Sequence, residues 1–160
     1  MRVFVTGGTG AIGSHAVPAL IAAGHEVTAM VRNDAKASVV AGQGATPLPV
    51  SLFDRDALSE AFRGHDAVVN MASALPSPQR FVFKSAWEQC HRIRTEGSAA
   101  VVDAAHAAGV SRVVQESVAM LYRDGADRWL DEDCPVDHYP IAAGNHAAEA
   151  SARRFAETGG

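Results

Sequence analysis

The stretch that most constrains this chain is Val3-Phe4-Val5-Thr6-Gly7-Gly8-Thr9-Gly10-Ala11-Ile12-Gly13. Val3 to Thr6 form a short β-branched and aromatic run, the pattern of a buried strand. The run breaks into glycines, and from Ala11 the apolar spacing becomes helical through Ile12, Ala16, Leu20 and Ala23. Strand, glycine turn and helix in succession are the context in which a glycine triplet reads as a dinucleotide fingerprint. Gly7 permits the tight turn, and Gly10 lets the backbone come close to a pyrophosphate. Gly13 lets the helix pack on the strand, and the helix N-terminus then meets the phosphate charge. The spacing here is G-x-x-G-x-x-G rather than G-x-G-x-x-G.

At 160 residues the chain has the length of one domain, read as residues 1–160. A chain of that size buries about 70% of its unfolded surface. The formal net charge is −4 and no basic run occurs, which argues against nucleic acid and anionic membrane as partners. Apolar runs fall short of a membrane span, and an N-terminus leading directly into a strand argues against a signal peptide. Cys90 and Cys134 have no paired spacing, as expected in a reducing compartment, by default the cytoplasm. His138, His146 and Cys134 lack metal-ligand spacing, so no metal is expected. Trp87 and Trp129 are expected to pack rather than to stack on a ligand.

Further along, the pattern predicts a first helix ending near Ala23, kinked by Pro18, and strands over 26–31, 45–50, 66–72 and 112–118. Helices are predicted from Asn33 or Asp34 through Val40, from Asp54 to Gly64, over 85–108 and over 142–157, with one long loop at 73–83 and an irregular acidic stretch at 123–140. Strands alternating with helices imply a parallel sheet covered on both faces. Right-handed crossovers then give a Rossmann-type, doubly wound α/β fold with strand order 3-2-1-4-5.

With the glycine loop and this alternation in place, the chain resembles the extended (atypical) short-chain dehydrogenase/reductase family, in its NAD-dependent epimerase/dehydratase group. The carriers are Thr6 to Gly13, Gly24-His25-Glu26-Val27 leading to Val31-Arg32, Asp66 to Ser73, Gly97-Ser98, and Ala107 to Val114. The resemblance implies a nicotinamide dinucleotide lying across the C-terminal strand ends. It would touch Gly7, Thr9, Gly10, Ala11, Ile12 and Gly13, contact adenine at Ser51 or Leu52, and pass Met71, Ala72 and Ser73 near its nicotinamide-side ribose. A ribose 2′-hydroxyl is usually held by an acidic residue about 20 positions past the glycines. Arg32 stands there instead, and it suits a 2′-phosphate, so NADP is the expected cofactor and NAD the second choice.

The family's chemistry uses a Ser or Thr after the fifth strand and a Tyr-x-x-x-Lys on the next helix, the tyrosine exchanging a proton and the lysine lowering its pKa while holding the ribose. With Tyr122 and Glu149 as anchors, those positions fall on Val118, Ile141 and Asn145. Ser117 and Tyr139 are the nearby candidates, and the two lysines, Lys36 and Lys84, lie elsewhere. Arg92 and Arg94 read as a solvated helix face. The sequence given stops at Thr158-Gly159-Gly160, where the family continues into a sixth strand and a substrate domain, so little or no substrate domain is expected within it. The chain is expected either to be less stable than a longer one or to self-associate, a homodimer being one way to cover the sheet edge that a sixth strand covers in the family. Two functions fit: an NAD(P)-dependent oxidoreductase, epimerase or dehydratase acting on a sugar nucleotide or carbonyl compound, or a non-catalytic module that senses NADP(H).

Overall fold

Alternation along the first two strands decides how the layers form. In β1 (Arg2–Thr6), Val3 and Val5 belong to one apolar cluster and Phe4 to another. In β2 (Glu26–Val31), Val27, Ala29 and Val31 join the Val3/Val5 side. Side chains alternate across a strand, so a sheet that is apolar on both sides has to be covered on both. The computed structural model, which describes residues 1–158, has this arrangement. Five parallel strands, adding β3 (Thr46–Pro49), β4 (Ala67–Asn70) and β5 (Arg112–Gln115), lie in the order β3-β2-β1-β4-β5 expected from the sequence. Val3 pairs with Val27 on one side and Ala67 on the other, and Ala67 pairs with Arg112.

Helices α1 (Gly13–Ala22) and α2 (Asp34–Gly42) cover the valine side, with Val17 and Val40 fully buried against it. Helices α3 (Arg55–Phe62), α5 (Ser98–Ala108) and α6 (Ala143–Glu157) supply the opposite layer through Leu58, Phe62, Val101, Val102 and Phe155. There the Phe4 and Phe62 rings meet edge to face, with centroids 4.8 Å apart. Burying one such side chain stabilises the fold by about 1.5–3 kcal/mol. The caps follow local chemistry. Asn33 accepts from Lys36 N at 3.0 Å and Asp54 accepts from Ala57 N at 3.0 Å, each worth about 1 kcal/mol. Asn33, not Asp34, is therefore the cap of α2.

Several boundaries differ from expectation. The first helix begins at Gly13 rather than Ala11, because residues 7–12 are spent in turns closed by Gly10 N donating to Gly7 O at 2.9 Å. Pro18 lies inside α1 without breaking it. Ser14 O, the carbonyl left without its helical donor, instead receives Gln43 Nε2 at 3.2 Å. The fourth strand ends at Asn70 rather than Ala72 and the fifth at Gln115 rather than Val118. The last rung is Glu116 N donating to Asn70 O at 2.9 Å, and beyond it the two chains diverge. The third strand is shorter too, and its Pro47 and Pro49 mark it as an edge.

The long helix expected over 85–108 is composite. A 3₁₀ turn (Lys84–Trp87) leads into α4 (Glu88–Arg92), then a π-turn (Ile93–Gly97), then α5. At Gly97 an added Cβ would lie 2.6 Å from Leu52 Cδ2, so the glycine lets this segment seat on Leu52. The last helix is likewise preceded by a 3₁₀ turn (Pro140–Ala142). Trp87 packs on Phe81, but Trp129 is 99% exposed and packs on nothing, against expectation. Among the described residues no helix is long and apolar enough to cross a membrane.

Candidate functional site

Where β1 and β4 end side by side, the chains leaving them separate and open a cleft of about 600 Å³. Gly7, Thr9, Gly10, Ala11 and Ile12 line its middle, from the turn between β1 and α1. Gly7 has φ +69, and a Cβ there would overlap the Met71 carbonyl; one at Gly13 would overlap Gly7 O and Gly8. Gly13 is therefore buried behind the turn rather than in the cleft wall. Gly10 differs, since its Cβ would meet only Gly7 O, at 3.1 Å. What the missing side chain leaves clear is room in the cleft, a cradle that a pyrophosphate fits. Helix α1 starts directly behind it with no acidic residue in its first turn, so its positive end is uncompensated.

Arg32 and Lys36 line one end, at the exit from β2 and in the first turn of α2. Neither forms an ion pair among the described residues. The sole carboxylate in the lining, Glu116, belongs to the β5 end. The Arg32 end is thus cationic and offers no acid to a ribose 2′-hydroxyl. Ser51 and Leu52 line the neighbouring wall; Ser51 Oγ accepts from Phe53 N at 3.2 Å, leaving its proton free to donate. Met71, Ala72 and Ser73 carry the lining past β4.

Beneath this half lies a buried polar network. Thr6 Oγ1 donates to Asn70 Oδ1, and Asn70 Nδ2 donates to Gln115 Oε1 at 2.8 Å and Ser98 Oγ at 3.3 Å. One side chain ties together β1, β4, β5 and α5, and its polar atoms are satisfied as burial requires. In the sequence, Asn70 reads only as a strand residue.

The candidates for proton transfer are not gathered at the cleft. Ser117 Oγ donates to Glu149 Oε1, on α6. Tyr139 lies in the loop just before the 3₁₀ turn, and its hydroxyl donates to Met120 O at 2.8 Å. Val118 is half-buried, Ile141 is exposed and Asn145 is buried; none of the five lines the cleft. Arg94 overturns its expectation, being buried rather than solvated and paired with Glu116 at 3.3 Å. The π-turn and the packing of α6 on it enclose the side chain. Arg92 does stay at the surface, bonded to Glu96 at 2.9 Å with its guanidinium 4.1 Å from the centre of the Phe53 ring.

The sequence reading missed Lys36, Gln89 and Glu116 as lining residues. Lys36 was within reach: it stands one turn into a helix whose cap, Asn33, is identifiable beside Arg32. Nothing local distinguishes Glu116 from a surface acid. His65 lies away from the cleft, with Nε2 3.0 Å from Thr28 Oγ1 and its ring edge-on to Phe4. Burial pushes its imidazole below the ordinary histidine value.

Known proteins resemble this chain in sequence and in fold. A family model described as NAD(P)H-binding matches residues 7–156. A 3-diazoavenalumate denitrifying reductase from a Streptomyces species is 38% identical over 143 residues, covering 85% of this chain and 44% of its own length. A 4-hydroxy-2-methyl-3-oxo-4-farnesyl-3,4-dihydroquinoline-1-oxide ketoreductase from Stigmatella aurantiaca is 34% identical over 97% of this chain and 45% of its own. The chain thus spans less than half the length of these two relatives. Among solved structures, the UDP-glucose 4-epimerase of Thermus thermophilus in complex with NAD superposes with a TM-score of 0.81 at 26% identity, covering 99% of this chain and 52% of that one. The dTDP-glucose 4,6-dehydratase DesIV of Streptomyces venezuelae, with NAD and TYD bound, gives 0.82 at 25% over the same shares.

Proposed function

The chain belongs to the NAD(P)H-binding family, within the epimerase/dehydratase group of extended short-chain dehydrogenases/reductases, and from this we propose that residues 1–160 are the cofactor domain of an NADP-preferring oxidoreductase. The observation that carries the NADP preference is the pair Arg32 and Lys36 at a cleft end with no carboxylate. Two cations there suit a 2′-phosphate, which a charge-assisted hydrogen bond from arginine holds well. The glycine turn receives the pyrophosphate, Ser51 and Leu52 border the adenine, and Met71 to Ser73 back the nicotinamide half. When bound, the nicotinamide ring supplies or takes up a hydride.

Reductase and epimerase relatives support an enzyme over a non-catalytic sensor, and a carbonyl compound or sugar nucleotide is the substrate class we favour. A proton for the substrate oxygen comes from outside the usual pair, since Ile141 has none to give and Asn145 has no charge to lower a neighbour's pKa.

The test is a fluorescence titration of NADPH and NADH against the native chain and Arg32→Ala. Losing one charge-assisted hydrogen bond, about 1.5–3 kcal/mol, should weaken NADPH roughly 10- to 100-fold and leave NADH nearly unchanged. Equal losses, or none, would remove the 2′-phosphate from Arg32.

A further inference from the structure

The far half of the cleft has a chemistry opposite to that of the Arg32 end. Beyond Met71 its lining is apolar at Ala72, Leu75 and Ile93, neutral at Ser73 and Gln89, and charged only at Glu116. Among the described residues no cation lines this half. Arg94 is buried and bonded to the Glu116 carboxylate, and Arg92 is taken up by Glu96 and the Phe53 ring. The apolar character continues out of the cleft. Leu75 and Gln89 both line it, so the segment between them is a strap fixed to the rim at both ends. Leu75 is 65% exposed and Val82 82%, and Phe81 and Phe83 are exposed beside Val82. Two 3₁₀ turns, Pro78–Arg80 and Lys84–Trp87, give the strap its shape. The Phe81 and Trp87 rings meet edge to face with centroids 4.6 Å apart, and Trp87 Nε1 donates to Phe81 O at 2.8 Å. A single exposed apolar residue is ordinary, but a group of them on the rim of a cleft marks a binding surface.

Sites of this kind take ligands that are mostly apolar and are oriented by a few polar contacts. A phosphate-bearing substrate, such as a sugar nucleotide, would bring its negative charges towards Glu116, with no cation in the wall to offset them. An uncharged carbonyl compound meets no such penalty. Its apolar body displaces water from Leu75 and Ile93, and the Gln89 amide is a donor for its oxygen. We propose that the substrate is an uncharged, largely apolar ketone or aldehyde, seated against Leu75 and the strap. This narrows the cofactor-domain reading given above and rests on it. The strap's own cations, Arg80 and Lys84, stand outside the cleft lining, and a diphosphate held by them is the competing outcome.

The test titrates NADP⁺ first and then offers two probes to the loaded chain: 4-phenyl-2-butanone, an uncharged ketone, and UDP-glucose. With the oxidised cofactor in place the ketone binds without reacting. Replacing the exposed Trp129 by phenylalanine leaves Trp87, on the strap, as the sole tryptophan. Its emission reports seating on the strap, and equilibrium dialysis gives the affinities. The ketone should bind and shift Trp87 emission, and UDP-glucose should bind about 10-fold more weakly or worse, the scale of one like-charge encounter. Leu75→Asp should weaken the ketone about 10-fold and leave NADP⁺ within about twofold, and Val82→Asp should weaken the ketone about threefold. Both side chains are exposed, so neither substitution opens the core. UDP-glucose binding as tight as the ketone, or tighter, would overturn the proposal. So would ketone binding that neither variant weakens, a loss shared equally by NADP⁺, or no ketone binding at all. A native chain that binds no NADP⁺ would refute the cofactor reading, and this proposal with it.

Discussion

The two ends of the cleft are built by different means. At the Arg32 end, a regular strand, a tight turn and two capped helices place every lining residue within a turn or two of a secondary-structure boundary. At the Glu116 end, the wall comes from a loop, a π-turn and the start of an irregular stretch, held by contacts between residues far apart in the chain. The first end is set by local rules that agree with one another. The second is specific because long-range polar contacts choose one arrangement from many, which is costly if any partner is lost.

Gly10→Val tests the first end most severely. Its side chain would enter the cleft and meet little else, so NADPH affinity should fall by about 100-fold or more, the scale of a blocked anion contact, while thermal stability holds. An unfolded variant would mean that binding and folding are not separable there.

Tyr139→Phe probes the other end. It removes one hydrogen bond, to Met120 O, worth about 0.5–1.5 kcal/mol of stability, and should leave cofactor affinity and NADPH consumption with a carbonyl panel unchanged. Lost turnover would bring Tyr139 into the reaction and erase the contrast.

The smallest effect comes from His65, which belongs to neither end. Its folded-state pKa lies below the unfolded value of 6.5, chiefly through burial. Between the two values the unfolded chain binds more protons, so stability is complete above about pH 6.5 and declines as pH falls through that window. Urea unfolding at several pH values should show this slope, and His65→Gln should flatten it.

Legibility in the sequence followed the same division. Val3, Val5 and Phe4 announce two faces by alternation alone, and the Asp54 and Asn33 caps are readable within four residues, so strand order and the Arg32 end could be worked out. Arg94 could not, because its burial requires the π-turn beneath it and Gly144 packed beside it from another helix. Strand ends were overrun for a related reason. Met71 and Ala72 are as apolar as the strand before them, and only the diverging backbone of β5 stops the ladder at Asn70. Tyr139, counted along a helix, would face the wrong way. It precedes the helix, outside the cleft lining, and its hydroxyl is bonded to Met120 O.

The two prolines of β3 have a consequence for how the sheet could be extended. Pro47 and Pro49 pair with Ala29 and Val31, so they share one parity, and the amides that bond to β2 belong to the residues between them. The outward rim of β3 therefore displays carbonyls and no donors. A visiting strand could give hydrogen bonds there but receive none, forgoing about 0.5–1.5 kcal/mol at each missing rung. The outward rim of β5 keeps its amides, beside an exposed Val114. Growth of this sheet is accordingly one-way: terminated at β3 and permitted at β5, so that an added strand, from whatever chain, has a single side on which to register.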